Sequence, residues 1–412
     1  MKRKHPVKKI FLAAALAAAL CACGEAAPAG KGETGAKHGA AGEIAMLEPG
    51  TRKGRYCIAE EPSGEVICWM DYNAVQETPL CSAPNCEHNS EACTAFLSEG
   101  YTNKVLALGD DRLLFVLRSN THEWPTRLMI ADRDGGSRHQ IAEMENGDDI
   151  LTPPFCADDQ YVYFEVLHKG GESHPLARAP LDGGKVEFVM TPKSDTWRVV
   201  NAAGRKLMLL EQDWEKPEIR LYTYDVDSGE TQQLDASFLD ANKLCDFSVS
   251  AQERVYFCDQ SSVHWVDMEG QSGQIPIPWP EGLDLAQEEY RINTLIGSKL
   301  LFSVGWHGSD DAVLARMYAL DVDSGQLQEA PLQYINSKSV SLPLDILGQS
   351  EDSLLVRFAC NTQQYQFMLP NGVPTQGLRD VCRYGMISLE DYLAGKVNYR
   401  EFPMSFQAYS ID

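Results

Sequence analysis

The chain has 412 residues, of which 44% are hydrophobic, and it carries a net charge of −23. This hydrophobic content is that of a globular protein and excludes global disorder, and the length suits one large repeat domain or two ordinary domains. The excess of acidic residues argues against nucleic acid as a partner and against docking on anionic lipid headgroups through charge alone, because both need a basic footprint.

The first 23 residues have the organisation of an export signal. A basic stretch at residues 1–9 precedes an apolar run at residues 10–20, which is too short to anchor the chain across a bilayer. The sequence that follows, Leu20-Cys21-Ala22-Cys23, resembles the bacterial lipobox. We expect lipidation at Cys23 rather than Cys21, because Leu20 is an unfavourable residue immediately before the cleavage point. The alternative is a plain secretory signal with incidental cysteines.

Residues 24–54 are dominated by Ala, Gly, Lys and Glu without hydrophobic periodicity, which predicts a flexible tether. Without the five basic residues of the signal, 31 basic residues face 59 acidic ones, a net charge of −28. This charge predicts solubility outside the cell; a calcium-binding role is the alternative.

Residues 55–412 repeat a unit of apolar strand, loop, strand and tight turn. The turns end in glycines that follow one another at intervals of 41 to 55 residues, namely Gly135, Gly183, Gly229, Gly270, Gly325 and Gly372. An earlier copy lies at residues 55–80. Four short antiparallel strands at this period are typical of a propeller blade. The sequence therefore predicts an all-β fold, a β-propeller of seven four-stranded blades, with six or eight as alternatives. Residues 399–409 are candidates for the strand that closes the ring.

The strand pattern, the lipobox and the segment from Leu80 through Cys81, Cys86 and His88 to Cys93 together resemble the TolB-like propeller lipoproteins of Gram-positive gut bacteria. The resemblance implies an extracytoplasmic binding or scaffold role at the cell membrane. It transfers no catalytic residues.

Cys81, Cys86, His88 and Cys93 have the composition of a zinc site with three thiolates and one imidazole. Their spacing, C-x4-C-x-H-x4-C, is not one of the standard zinc-finger spacings. The alternative is one disulfide among the three cysteines, with His88 exposed. In either case the expected role is structural.

Two further cysteine pairs are expected to lie opposite each other across hairpins. A turn at residues 62–63 sets Cys57 opposite Cys68, and a turn at residues 251–252 sets Cys245 opposite Cys258. Each pair is predicted to form either a disulfide or packed free thiols. The sequence assigns no partner to Cys156, Cys360 and Cys382.

The loops that join second to third strands emerge on one face of a propeller, and here they are rich in Trp and His. They carry Trp124, Trp214, Trp306, His122, His168, His174 and His307. Aromatic side chains on loops over a rigid scaffold make a common recognition surface, which we predict for this face. The alternative is that some of these Trp residues fill gaps between blades.

The sequence contains no Gly-x-Ser-x-Gly elbow, no His-Glu-x-x-His and no phosphate-binding glycine loop. The resulting hypothesis is a lipid-anchored, non-enzymatic propeller that binds a protein, peptide or glycan at the cell surface. The alternative is an extracellular propeller enzyme that acts on glycans or peptides.

Overall fold

The computed structural model describes residues 42–411 except 62–63, 99, 103, 120–123, 146, 152–153, 170–173, 192–196, 214–217, 240–247, 252, 282–287, 308–312, 337–339, 369–373 and 407–408. Residues 1–41, with the predicted signal, Cys21, Cys23 and most of the tether, lie outside this part of the chain. Within it, no helix is both long and apolar enough to cross a membrane.

The first half of the described chain contains strands β1 (Ala45–Leu47), β2 (Gly50–Thr51), β3 (Gly54–Glu61), β4 (Gly64–Asp71), β5 (Gln76–Pro79), β6 (Phe96–Leu97), β7 (Val105–Leu108), β8 (Arg112–Leu117), β9 (Arg127–Asp132), β10 (His139–Glu143), β11 (Asp149–Ile150), β12 (Phe155–Ala157), β13 (Tyr161–Leu167), β14 (Leu176–Pro180), β15 (Glu187–Met190), β16 (Trp197–Ala203), β17 (Lys206–Asp213), β18 (Glu218–Asp225) and β19 (Thr231–Leu234).

The second half contains β20 (Ser248–Ala251), β21 (Arg254–Cys258), β22 (Ser262–Asp267), β23 (Ser272–Pro276), β24 (Glu288–Ile296), β25 (Lys299–His307), β26 (Val313–Asp321), β27 (Leu327–Ala330), β28 (Gln333–Ile335), β29 (Ser341–Pro343), β30 (Asp345–Gln349), β31 (Ser353–Met368), β32 (Pro374–Ser388), helix α1 (Leu389–Leu393), β33 (Arg400–Glu401) and β34 (Tyr409–Ser410).

These strands form a seven-bladed β-propeller, as the repeat predicted. Blades 1 to 7 are built on β2–β5, β7–β10, β12–β15, β16–β19, β20–β23, β24–β27 and β30–β33, and β28 pairs with β29 in a separate hairpin. Each blade is an antiparallel sheet whose second strand contains an apolar run, because neighbouring blades cover both faces of that run. In β25, for example, Leu300, Leu301, Phe302 and Val304 are all fully buried.

The predicted hairpin turns are formed by an aspartate that binds its own backbone. Asp225 accepts hydrogen bonds from the N–H groups of the second and third residues after it, at 3.1 and 2.9 Å, and Asp321 does the same at 3.2 and 2.8 Å. Each turn ends at a glycine in the left-handed region, Gly229 at φ 73° and Gly325 at φ 72°. The recurrence of Asp-x-Asp-Ser-Gly is therefore turn chemistry.

The C-terminal residues close the ring. β34 pairs with β3, with Ile58 opposite Ser410 and Ala59 opposite Tyr409, so the chain end completes the innermost part of blade 1 beside β2. β33 supplies the outer strand of blade 7. Before it, Ser388 caps α1 by accepting a hydrogen bond from the Asp391 N–H at 3.1 Å.

The folded part of the chain begins earlier than the predicted boundary at Arg55. β1 pairs with β12 of blade 3, the Ile44 N–H donates to the Gly204 carbonyl at 2.7 Å, and Leu47 is buried. The sequence pattern did not reveal β1, because three strand residues are too few to show periodicity. The end of the assumed tether is an added inner strand of the propeller.

A buried carboxyl group links blades 3 and 4 and makes the free energy of unfolding depend on pH. Glu165 accepts a hydrogen bond from the Val199 N–H at 3.1 Å, but burial outweighs this bond and raises its pKa to about 7. The folded state therefore holds this proton more tightly than the unfolded state does. The resulting stability is present in acid and is lost as the pH rises through about 7.

We expect Glu165→Gln to match the wild type in free energy of unfolding near pH 5 and to exceed it at pH 8, because the amide cannot ionise. Urea unfolding at several pH values measures this difference. Glu329→Gln, on an exposed residue of β27, is the control and should leave the pH profile unchanged. A wild-type profile that is flat between pH 5 and pH 8 would contradict the assignment.

Candidate metal centre and loop face

The predicted cysteine segment is an excursion from the outer strand of blade 1. β5 ends with Pro79 opposite Cys68, and β6 resumes the same ladder with Phe96 opposite Val66. Between them the backbone of Ile67 accepts from the Leu80 N–H and donates to the Ala95 carbonyl, both at 2.9 Å. Residues 81–94 therefore leave and re-enter the sheet at a single position. We call them the rim loop.

The rim loop brings the four predicted ligands together. The sulfur atoms of Cys81, Cys86 and Cys93 and an imidazole nitrogen of His88 all lie within 4.8 Å of one another. His88 Nδ1 lies 3.2 Å from Cys93 Sγ. Tetrahedral zinc with ordinary bond lengths holds such donors about 3.5–3.8 Å apart, so a shift of roughly 1 Å completes the site.

The backbone of the rim loop is held in a conformation that directs these side chains inward. Asn85 and His88 both have positive φ, 58° and 54°, in the left-handed region that few residues other than glycine adopt. Asn and His are among the non-glycine residues that adopt this region most often. Four converging soft ligands are a physical reason for this conformation to persist.

The thiols of the rim loop differ in acidity. Burial opposes ionisation of Cys81, but hydrogen bonds from the Ala83 N–H and from the Cys93 and Cys86 thiols outweigh it and lower its pKa. Burial raises the pKa of Cys93 to about 11, and hydrogen bonds with the other two thiols act in the same direction. Cys81 thus ionises more readily than Cys93, and a cation entering the site displaces the remaining protons.

Blade 2 holds the base of the rim loop. The Thr94 hydroxyl contacts the carbonyls of Leu80 and Asp134 at 2.8 and 3.0 Å, and Arg138 donates to the carbonyls of Thr94 and Phe96 at 2.6 and 3.0 Å. Arg138 could not be predicted as part of the site, because one arginine after a turn has no distinguishing sequence pattern. The site consequently joins the rims of two blades.

The predicted loop-face residues belong to different blades. Trp124 is half-buried before β9, its ring 4.6 Å from the guanidinium carbon of Arg127. The carbonyl of His174 accepts from Trp197 Nε1, and His168 Nδ1 lies 2.8 Å from Asp148. His122 and Trp214 lie outside the described residues.

Trp306 and His307 are not loop residues. They are the last two positions of β25, opposite Leu314 and Val313 of β26. The predicted loop began too early, because aromatic residues continue a strand readily and nothing before residue 308 breaks it.

The two predicted cross-strand cysteine pairs differ in outcome. Cys57 lies opposite Cys68 as predicted, and both are buried thiols. The predicted register of the second hairpin was wrong over its described part, because Ser248 pairs with Phe257 rather than with residue 255. Cys245 lies outside the described residues, so its pairing with Cys258 stays a prediction.

A disulfide that was not predicted joins Cys360 and Cys382 across β31 and β32. These cysteines stand eleven residues on either side of Asn371, in a turn that the repeat had identified. This equal spacing from the turn could have indicated that the two cysteines lie opposite each other.

The fold and the site define the chain as a β-propeller with a thiolate and imidazole cluster on its rim. No protein-family model and no curated protein matches it. Among solved structures it is similar to TolB from Acinetobacter baumannii, with 12% identity, 85% of this chain and 79% of that chain covered, and a TM-score of 0.37. It is also similar to an oligogalacturonate lyase from Vibrio parahaemolyticus, with 13% identity, coverages of 88% and 86%, and a TM-score of 0.41. At such identities the likeness concerns the fold alone.

Proposed function

We propose that this chain is an exported, lipid-anchored β-propeller that acts as a non-enzymatic binding or scaffold protein, with a structural zinc ion in the rim loop. The observation that carries the metal assignment is the convergence of Cys81, Cys86, His88 and Cys93 on a loop whose two ends meet at Ile67. The partner is a protein, peptide or glycan at the outer face of the cell membrane.

The composition of the cluster favours zinc over a disulfide. One disulfide would use two of the three cysteines and leave the third thiol and His88 without a role, whereas a metal uses all four. Three thiolates and one imidazole suit zinc. Because all four positions are filled by protein atoms, the ion has no open position for a substrate, and its role is structural.

Export is supported by the N-terminal pattern and by the Cys360–Cys382 disulfide, because structural disulfides belong to oxidising compartments. In such a compartment free thiols on an exposed loop would oxidise. Zinc coordination protects them and keeps the loop in one conformation.

We expect Cys23→Ser to release the protein from membranes, whereas Cys21→Ser should leave it anchored, because only one cysteine receives the lipid. Membrane fractionation with palmitate labelling measures both variants. Labelled, membrane-bound Cys23→Ser protein would show that the lipidation site is wrong.

The binding role is tested with glycan and peptide arrays probed with the purified full chain. We expect Trp124→Ala to lose the ligand that the wild type binds while its melting temperature falls by only a few degrees, because this ring is partly exposed. Tyr101→Ala, a partly exposed aromatic residue in the preceding segment, is the matched control. If the wild type binds no array member, or if Trp124→Ala binds as the wild type does, the loop face has no such role.

A further inference from the structure

The second hairpin of blade 7 extends far beyond its own sheet. β31 and β32 have 16 and 15 residues, whereas the second and third strands of the other blades have 5 to 9. β30 pairs with β31 only as far as Arg357, and β33 pairs with β32 only at Gly385 and Met386. Ten residue pairs, formed by residues 359–368 and 374–383, continue as a two-stranded ribbon roughly 30 Å long. We call this ribbon the arm.

The arm is built to stay extended. An isolated two-stranded hairpin is marginal in water, and this one is reinforced near its base. The Cys360–Cys382 disulfide crosses it, and the Thr362 hydroxyl donates to Asp380 at 2.6 Å. Below them Arg383 binds Glu401 of β33 at 2.6 Å. A ribbon reinforced in this way holds its two backbone edges in a fixed, strand-competent conformation.

Both edges of the arm are unpaired within the described part of the chain. Exposed strand edges are normally protected by lysine, proline, a bulge or a covering element, because unpaired N–H and C=O groups recruit other strands. Residues 361–368 contain no charged residue and no proline, and residues 361–364 are exposed. This edge therefore lacks the usual protection over eight residues.

The charge distribution indicates what the edge pairs with. The chain without its signal has a net charge of −28, so two copies repel over most of their surfaces. The arm has only Arg379, Asp380 and Arg383 as charged residues, a net charge of +1, and all three are on β32. The β31 edge is the neutral surface at which two copies can approach, and an antiparallel edge is complementary to itself.

We propose that the arm is a dimerisation element, in which the β31 edges of two copies of this chain pair antiparallel about a two-fold axis to form a four-stranded sheet. Each edge residue that gains a partner then satisfies backbone groups that the monomer leaves to water. The occupant of the edge is a second copy of this chain.

The test measures the oligomeric state of the full chain carrying Cys23→Ser, so that lipid does not drive association. We expect sedimentation velocity to show a concentration-dependent dimer. Gln363→Lys with Gln364→Lys should raise its Kd about tenfold or more, because like charges then face each other along the edge. Gln232→Lys with Gln233→Lys, on the exposed outer strand of blade 4, is the matched control and should leave the dimer unchanged.

A second measurement does not depend on how well the lysine variant folds. Antiparallel pairing about a two-fold axis places one residue of the edge close to its own copy, so a single substitution to cysteine at one position within residues 361–368 should form a disulfide-linked dimer on mild oxidation. Gln233→Cys should not. A wild type that remains monomeric at high concentration would overturn the proposal. So would a dimer that the lysine variant leaves intact, or cross-linking with equal yield at Gln233→Cys.

Discussion

Cys93→Ser is expected to abolish metal binding and to lower the free energy of unfolding by on the order of 4 kcal/mol or more, the range in which loss of a metal ligand falls. Cys93 is the most buried of the four ligands, and its sulfur contacts His88 Nδ1 at 3.2 Å. Without the ion, the left-handed backbone at His88 loses its support, and residues 81–94 no longer hold the rims of blades 1 and 2 together. Urea unfolding and metal analysis of the purified variant measure the two effects.

Cys156→Ser is the matched control for this prediction. Cys156 is also buried, but it lies in β12 against Met46 and far from the rim loop in sequence. The control should lose the smaller stability expected for placing a hydroxyl in an apolar site while keeping its full metal content. Equal losses of stability in the two variants, with unchanged metal content in both, would show that Cys93 is only a packed thiol.

Ile411→Ala is expected to lower the free energy of unfolding by about 2–4 kcal/mol, because it creates a cavity where the two ends of the propeller meet. Ile411 is 5% exposed and packs in the core cluster of blade 1, directly after the strand that pairs with Ile58 and Ala59. A residue at the end of a chain is ordinarily tolerant of change. Here the closing strand couples the last residues to the first blade.

Ile335→Ala removes the same atoms from β28, where the side chain is 67% exposed. This control should change the free energy of unfolding by less than about 0.5 kcal/mol. The comparison therefore isolates burial from side-chain identity. If the two variants unfold at the same urea concentration, the ring is not closed through the C-terminal strand.

The repeated features of the fold were predictable because each has a local physical cause. Asp225 and Asp321 form the same turn from the same five residues, and the apolar run Leu300–Val304 is a strand covered on both faces. Repetition of such units fixes the blade count. The rim-loop ligands were predictable for a similar reason, since Cys81, Cys86, His88 and Cys93 are close in sequence and of a distinctive composition.

The features that escaped prediction depend on contacts between distant segments. β1 is a strand only because β12 is beside it, and Arg138 is part of the site only because blade 2 packs on blade 1. Neither contact can be predicted from the sequence pattern of the segment that makes it. The Cys258 hairpin illustrates a different limit, because a small shift in the assumed turn changes every partner along the two strands.

The zinc content of the purified protein is the most direct test of the metal site in the rim loop. Protein purified without chelator and without added metal is analysed for zinc by mass spectrometry, and its reactive thiols are counted before and after chelation. We predict about one zinc ion per chain, with thiols of the rim loop becoming reactive only when the ion is removed. Metal-free protein in which peptide mapping recovers Cys81, Cys86 or Cys93 in a disulfide would contradict the assignment of a zinc site.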